Sequence, residues 1–370
     1  MKTGMTIEKF ASEIERRDDA QRDFVLGTPD ILYYPATEPE TEDGAHGPEF
    51  LSLEGQPFGI NEVCHRQLAT HHNVPWAYYR RMLEECPSLL GENINHWLAQ
   101  LKVDSKGKES IDRRMVRTLD GVARAYLSNK YLRFDHKPFS EIVLPVLAEH
   151  NAKVKSCDLT DSHLFLKFTF PSLRVELNPG QGDWYEPGGQ ISNSETGQGK
   201  SKGKVWFFRE ICKNGMGIYN HVAEYGRVHL GSAIDELGEI ESAETQRYIV
   251  QATASQIRDS INAMVNPETI ERIIESMRAT TEVNIPGEQK IPEAMEQLGK
   301  ALKLTEDERG SMLRHLIEGG DLSQYGIIQA VTRTAEDLPS YDRATEVESI
   351  GGKLLATSPS KFRQLCTVLK

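Results

Sequence analysis

Residues 113–128, RRMVRTLDGVARAYLS, decide the fold class of this 370-residue chain. Charged and apolar side chains alternate through 113–119 and again through 122–128, a pattern typical of half-buried strands. Asp120 and Gly121 separate the two halves, and an Asp-Gly pair favours the tight turn of a β-hairpin. The stretch therefore predicts an antiparallel hairpin within a larger sheet.

The flanking sequence predicts more strands and one helix. Residues 152–159 and 163–170 form a second hairpin pattern, in which alternate residues of HLFLKFTF are apolar. Residues 137–150, between the two hairpins, predict a helix. Further strands are predicted at 173–177, 204–212 and 226–230. The glycine-rich segment 178–203 is predicted to be a long loop, and loops of that length are often functional.

Both ends of the chain carry helical patterns. Helices are predicted on the N-terminal side at 6–24, 61–72, 75–86 and 88–100, with an acidic loop at 35–49. From about residue 239 to the end the pattern is again helical. We therefore predict an α+β fold, with an antiparallel strand-rich core, flanking helices and a helical C-terminal region. The predicted domains are an N-terminal helical region with the acidic loop (1–100), the strand-rich α+β core (101–235) and the helical C-terminal region (236–370).

The net charge of −12 is unevenly distributed. Residues 61–230 hold 23 basic and 19 acidic side chains, whereas residues 1–60 and 231–370 are both net negative. Screening confines charge effects to about 8–10 Å at physiological salt, so a basic face can bind a polyanion on an acidic protein. The acidic flanks have a second interpretation, in which they only keep the protein soluble.

No apolar run approaches the roughly 20 residues that span a bilayer. The N-terminal sequence MKTGMTIEKF also lacks the apolar core of a signal peptide. The sequence therefore predicts a cytoplasmic protein with no membrane partner.

Motifs for catalysis lack their usual context. SETGQGKS (194–201) resembles a phosphate-binding loop, but Ser194 replaces the first glycine and a strand, not a helix, is predicted to follow. His71 and His72 are adjacent on a predicted helix and point about 100° apart, so they cannot hold one ion from a single face. The five cysteines include no Cys-x-x-Cys pair. We expect no catalytic residues, no metal site and no cofactor.

Two segments combine cations with aromatic rings, which is the requirement for binding single-stranded nucleic acid. In both, the cations would follow the phosphates and the rings would stack on bases. The candidate residues in 113–137 are Arg113, Arg114, Arg117, Arg124, Lys130, Tyr131 and Arg133. Those in 199–215 are Lys200, Lys202, Lys204, Trp206 and Arg209, and Trp184 lies in the 178–203 loop, which would close over the binding surface. The alternative is that the rings form the core of a sheet and the cations its solvated face.

A second candidate is a helix-turn-helix unit at 61–86. QLATHHNVPWAYYRRM (67–82) has the spacing of two short helices joined by a tight turn, and Arg80 and Arg81 on the second would contact duplex phosphates. Any two short amphipathic helices share this spacing, so a purely structural role remains open. A third candidate is an interaction protein whose acidic flanks dock on a host protein.

Several stretches resemble a family of phage- and plasmid-encoded proteins known as domain-of-unknown-function family 932 (DUF932). They are NVPWAYYRRM, LLGENINHWL, RAYLSNKYLRFDH, ISNSETGQG and FREICKNGM, with SYDRATEVESIGGKLLA near the C-terminus. Asn193-Ser194 and the Cys-x-Asn-Gly of residues 212–215 are the most distinctive elements. The resemblance implies a bacterial host cell, DNA metabolism and a strand–helix order similar to phage single-strand annealing proteins. We therefore expect non-enzymatic binding of single-stranded DNA, including annealing and recombination, and self-association through the C-terminal helices.

Overall fold

The computed structural model of the chain describes residues 1–37, 47–103, 107–131, 133–199, 201–210, 212, 214–218, 226–227, 243–285 and 290–367. The helices in these ranges are α1 (Ile7–Ala20), α2 (Glu62–His71), α3 (Trp76–Glu85), α4 (Pro87–Leu98), α5 (His136–Glu149), α6 (Ala243–Met264), α7 (Pro267–Thr281), α8 (Ile291–Ala301), α9 (Glu306–Gly319), α10 (Gln324–Asp337), α11 (Tyr341–Leu355) and α12 (Pro359–Cys366). The strands are β1 (Arg22–Gly27), β2 (Ile31–Tyr34), β3 (Phe50–Leu53), β4 (Gln56–Ile60), β5 (Lys102–Val103), β6 (Glu109–Ser110), β7 (Arg113–Leu119), β8 (Val122–Ser128), β9 (Lys153–Leu159), β10 (Leu164–Thr169), β11 (Val175–Glu176), β12 (Trp184–Asn193), β13 (Ser201–Arg209), β14 (Gly215–Ile218) and β15 (Gly226–Arg227).

The predicted α+β class is confirmed. The predicted hairpins are β7–β8 and β9–β10, both antiparallel, with α5 between them. Asp120 and Gly121 both take positive φ, as a tight two-residue turn requires. The C-terminal part from 243 is helical, and Thr305 and Glu308 form a capping box at the start of α9.

The first sheet has six strands in the order β1-β7-β8-β4-β3-β2. One face packs against α2, α3 and α4 through an apolar core that includes Leu51, Leu68 and Ile94. The predicted N-terminal helix 6–24 is wrong in its last turn, because β1 begins at Arg22 and pairs with β7. The predicted division at residue 100 crosses this sheet, since β1 to β4 precede it and β7 and β8 follow it. The division at residue 235 lies outside the described residues.

The second sheet is built on the order β14-β13-β12-β10-β9. Its apolar core is shared with α5, α6, α7, α10 and α11 and includes Phe168, Phe207 and Ile328. The predicted long loop at 178–203 is wrong, because residues 184–193 form β12, which pairs with both β10 and β13. Helix α11 lies directly on β14. A Cβ atom on Gly352 would come within 2.2 Å of the Gly217 carbonyl oxygen, so only glycine permits this approach.

Candidate functional site

Arg117 and Arg124 belong to a buried ion-pair cluster between the two sheets. Arg117 is fully buried, and its guanidinium contacts the carboxylates of Asp23 at 2.8 Å and Asp135 at 2.7 Å. Arg124 contacts the Glu195 carboxylate at 2.7 Å and is 5% exposed. Arg117 therefore has no surface with which to meet a strand phosphate, which corrects its predicted placement.

Glu195 is the centre of this cluster. Its carboxylate accepts a hydrogen bond from the His136 backbone N–H at 2.6 Å, and its carbonyl accepts one from Arg117 at 3.0 Å. Burial opposes its ionisation, but His136 and Arg124 outweigh burial and lower the pKa of Glu195 to about 2. Asn193 donates to the Phe134 carbonyl at 2.8 Å. The segment that resembles a phosphate-binding loop therefore joins the two sheets.

Two of the predicted stacking rings lie inside the protein. Tyr131 is 7% exposed and packs in a small apolar cluster with Met115 and Leu127. Trp206 is fully buried, and a Cβ atom on Gly215 would come within 1.9 Å of its ring. Neither ring can stack on a base, because neither reaches the surface. The glycine of the distinctive Cys-x-Asn-Gly element is explained by its packing against Trp206.

The remaining cations of 113–133 lie at or near the surface. Arg113 is exposed and donates to the Val25 carbonyl at 3.0 Å. Arg114 is half-buried and pairs with Asp112 at 3.0 Å, and exposed Arg133 pairs with Asp23 at 3.0 Å. Lys130 is half-buried. Arg114 and Arg133 thus already neutralise protein carboxylates, and this segment is not an unpaired cationic strip.

Trp184 and Arg209 lie near each other, where β12 begins and β13 ends. Trp184 is the first residue of β12, and the Arg174 guanidinium lies 4.2 Å from the centre of its ring. Arg209 contacts the Asp183 carboxylate at 2.7 Å. One face of the half-buried Trp184 ring is therefore covered by a guanidinium.

The predicted residues Lys202 and Lys204 reach a cleft between the second sheet and α11, and Lys200 lies outside the described residues. We call this cleft, of about 220 Å³, the Lys204 cleft. Its lining residues come from β10, β12, β13, the loop before β13 and α11. They are His163, Phe165, Gln190, Ser192, Gln198, Gly199, Lys202, Gly203, Lys204, Asp342, Thr345, Glu346 and Ser349.

Lys204 supplies the cleft with an amine of unusual acidity. Its Nζ atom is hydrogen-bonded to the Ser349 hydroxyl on α11. Burial is the main cause that lowers the pKa of Lys204 to about 7; Glu348 opposes this shift and nearby Lys167 adds to it. Lys167 and Glu348 form a fully buried pair at 2.7 Å beside the cleft. Lys204 is therefore half protonated near neutral pH and gains stability from an anion placed beside it.

Two buried polar groups of the cleft have no hydrogen-bond partner among the described residues. They are the Oε1 atom of Gln190, which is 3% exposed, and the hydroxyl of Thr345, which is 6% exposed. An unmade hydrogen bond of this kind costs about 1–3 kcal/mol, which a bound ligand with matching groups would recover. The cleft also has an aromatic wall, since the His163 and Phe165 rings stack with centroids 5.4 Å apart.

Two further cavities follow the Lys204 cleft along the surface, each sharing lining residues with the one before it. A middle section of about 560 Å³ shares Gln198 and Asp342 with it, and a third section of about 370 Å³ shares Asn61 and Asp161 with the middle one. We call the three sections the central groove and the third section the Arg124 recess. The groove is of mixed charge. Its basic residues are Lys2, Arg16, Arg17, Arg66, Arg124, Lys202 and Lys204, and its acidic ones are Glu62, Asp120, Asp158, Asp161, Asp342 and Glu346.

The helix-turn-helix candidate corresponds to α2 and α3. Asn73 in the turn has φ +56°, the left-handed conformation that glycine often supplies in such turns. On the exposed face of α3, Arg80 pairs with Glu84 and Arg81 with Glu85. Two arginines and two glutamates give this face no net positive charge. The electrostatic term that dominates duplex binding is therefore missing from it.

Sequence reasoning identified the lysines of the cleft but missed its other walls. Gln190 belongs to a segment that was predicted as loop, and Thr345 and Ser349 lie about 145 residues beyond Lys204 in the chain. Their only sequence signal is a run of small and polar residues in α11, SYDRATEVESIGG, which is unusual for a helix with one face on a sheet. His163 and Phe165 were assigned to a strand without a role.

Other kinds of site find no support in the described residues. No group of three His, Cys, Asp or Glu side chains there could hold a metal ion. None of the helices described is both long and apolar enough to cross a membrane. Comparison with protein-family models, with curated proteins and with solved structures finds no match. The resemblance to family 932 stays a prediction.

Proposed function

We propose that this protein binds single-stranded DNA without converting it, and that one nucleotide unit of the strand occupies the Lys204 cleft. The observation that carries the proposal is the composition of that cleft. Two lysines, an aromatic wall and two unpartnered polar groups line one space, open to the surface. A nucleotide offers an anion, a ring face and a set of donors and acceptors, and so matches each of them.

The phosphate goes to the lysine side of the cleft. Lys202 is exposed at the rim and Lys204 lies deeper on the same strand. A phosphate beside Lys204 favours the ammonium form, so binding raises the pKa of that amine from its value of about 7 and takes up a proton at neutral pH. Charge-assisted hydrogen bonds of this kind are stronger than those between neutral groups.

The base goes to the aromatic and polar side. A base stacked on the His163 ring, whose other side packs on the buried Phe165, contributes about 1–3 kcal/mol. The Gln190 carbonyl oxygen accepts from an amino or imino group of the base, and the Thr345 hydroxyl provides a second polar contact. A base within a duplex is stacked and paired on both sides and cannot enter a cleft, so this mode selects single strands.

This proposal moves the binding surface away from the predicted one. Arg117, Tyr131 and Trp206 are not part of the proposed surface because they are buried, and Trp184 is left out because Arg174 already covers one face of its ring. The two lysines of β13 remain. Annealing, recombination, the bacterial cytoplasm and self-association through the C-terminal helices stay predictions that accompany the proposal.

The test is to add the protein to fluorescent oligothymidylate at pH 6.5 and low salt, and to measure binding from the fluorescence anisotropy. Lys202→Ala and Lys204→Met are compared with wild type and with Lys290→Ala, a control whose side chain is 81% exposed on a different surface. We expect about tenfold weaker binding for Lys204→Met, the value of one charge-assisted contact of about 1.4 kcal/mol. Lys290→Ala should bind as wild type does.

Competing ligands distinguish the sources of the phosphate. Unlabelled oligothymidylate should displace the probe best, thymidine monophosphate less well, inorganic phosphate poorly, and duplex DNA least. Displacement by thymidine monophosphate as strong as by the oligonucleotide would make the protein a nucleotide binder. Equal affinity of wild type and Lys204→Met would refute the assignment of the cleft.

A further inference from the structure

We propose that Lys204 is a site of covalent capture, where its amine forms an imine with an aldehyde that carries a phosphate group. In a single strand such an aldehyde occurs at an abasic nucleotide, whose sugar has lost its base and opens to a C1′ carbonyl. The choice of this source rests on the proposed function. Intact strands carry no aldehyde and are bound unchanged.

The first support is the position of the amine. Residues 167, 190 and 204 lie directly opposite one another on β10, β12 and β13, so their side chains share one face of the sheet. Lys204 and Gln190 line the cleft, whereas Lys167 is fully buried beside it. The Lys204 side chain also lies against Gly217 of β14, where a Cβ atom would come within 2.9 Å of the Lys204 Nζ atom. The fold thus holds this amine at the wall of the cleft.

The second support is the set of groups around the amine. The Ser349 hydroxyl donates to the Thr345 carbonyl at 2.8 Å, so its contact with Lys204 uses an N–H of the amine and not the nitrogen lone pair. The fully buried Lys167, paired with Glu348 at 2.7 Å, places a second cation nearby. Burial and a neighbouring cation both favour a neutral amine, which is the form that attacks carbonyl groups. The lowered pKa of Lys204, about 7, agrees with this geometry.

The third support is a match between the cleft and the atoms that the reaction creates. The Thr345 hydroxyl and the Gln190 Oε1 atom line the cleft and have no hydrogen-bond partner among the described residues. The hydroxyl donates to the aldehyde oxygen as that oxygen gains negative charge. The Oε1 atom then accepts from the hydroxyl group of the addition product. Lys202, exposed at the rim on the same strand, binds the phosphate.

The reaction needs no oxidant and no reductant. The neutral amine attacks the carbonyl carbon and forms a C–N bond, while the carbonyl π electrons move to oxygen. The nitrogen passes one proton to this oxygen, and the resulting hydroxyl group takes up a second proton and leaves as water. The nitrogen lone pair then forms the C=N bond, and loss of the last N–H proton leaves the imine. One water is released, and water reverses the capture.

The test is reductive trapping, in which cyanoborohydride converts an imine into a stable secondary amine. One arm uses a single-stranded oligonucleotide with one abasic site. The other uses deoxyribose 5-phosphate, the same aldehyde without a strand. Each is incubated at pH 7.5 with wild type, with Lys204→Met and with Lys290→Met, a control at a highly exposed position. Mass spectrometry measures the amount of adduct and identifies the modified residue.

The expected result follows from the fraction of neutral amine. At pH 7.5 an ordinary lysine is neutral in about one molecule in a thousand, whereas an amine with a pKa of about 7 is mostly neutral. We expect the abasic strand to be trapped at Lys204 in wild type and in Lys290→Met, with about tenfold less adduct in Lys204→Met. Adduct mainly on Lys202, equal amounts in wild type and Lys204→Met, or no adduct in either arm would overturn the capture site.

The two arms separate this inference from the proposed function. Trapping of the sugar phosphate without trapping of the strand would overturn the abasic strand as the source. Oligothymidylate carries no aldehyde, so its binding without any trapping would overturn the capture site and leave the proposed function standing. Trapping of the sugar phosphate by a protein that does not bind oligothymidylate would instead refute the proposed function alone.

Discussion

Replacing Lys204 by methionine should change how stability depends on pH. Lys204 on β13 is buried against α11, and burial lowers its pKa from 10.5 to about 7. Glu348 opposes this shift, whereas Lys167, Lys202 and Lys353 add to it. His163, Asp342 and Glu346 also line the cleft. The unfolded chain holds the proton up to pH 10.5 and the folded chain releases it near pH 7, so the unfolded state binds more protons between these values.

Stability therefore rises with pH in this window, by up to about 1.4 kcal/mol per unit from this one group. Integrating from pH 7 to pH 9 gives a contribution of about 2 kcal/mol in wild type and none in Lys204→Met. The other ionisable groups are common to both proteins and cancel in the difference.

The assay is urea unfolding of both proteins at pH 7, 8 and 9. The account expects the free energy of unfolding of wild type to gain on that of Lys204→Met by about 2 kcal/mol over this range. Lys361→Met serves as a control, because Lys361 lies on the exposed face of α12. Parallel pH profiles for wild type and Lys204→Met would refute the lowered pKa and the proton uptake proposed for ligand binding.

Two further predictions concern the framework that positions the groove. Glu195→Gln leaves Arg124 buried without its carboxylate and should cost about 3–5 kcal/mol in urea unfolding, whereas the exposed Glu293→Gln should change stability by less than about 0.5 kcal/mol. A loss below 1 kcal/mol for Glu195→Gln would show that the buried Arg124–Glu195 pair contributes little to stability. Gly352→Ala should lower the melting temperature, because its Cβ meets the Gly217 carbonyl. Gly310 is exposed on α9, and no atom lies within 4 Å of where its Cβ would be, so Gly310→Ala should raise the melting temperature slightly. A melting temperature that rises in Gly352→Ala and falls in Gly310→Ala would be evidence against the close packing of α11 on β14.

Local signals made much of the fold predictable. The β7–β8 hairpin is encoded by an Asp-Gly turn between two alternating strands, and the α9 capping box by four adjacent residues. The strand β1 was missed because its partner is distant in sequence, with Arg22 opposite Thr118. Its residues follow α1 directly, so the helical pattern was extended over them.

The candidate site was less predictable, for an identifiable reason. The register of β7 and β8 shifts between Arg117 and Thr118, which pair with Ala125 and Ala123 and leave Arg124 as an extra residue. Alternation of side chains alone cannot show such a bulge, so the burial of both arginines was not visible. Lys204 likewise looks like any strand cation until α11 is placed over it. The sequence identified the correct residue types but not which of them face solvent.

The most direct test of the central claim is to find where a single strand contacts the protein. Oligothymidylate carrying one 5-bromouracil is bound at low salt and irradiated, and the crosslinked peptide is identified by mass spectrometry. We expect crosslinks at His163, reduced in Lys204→Met and unchanged in Lys290→Ala. Crosslinks that map only to α3 or to Trp184, or a wild-type protein that retains no oligonucleotide, would contradict it.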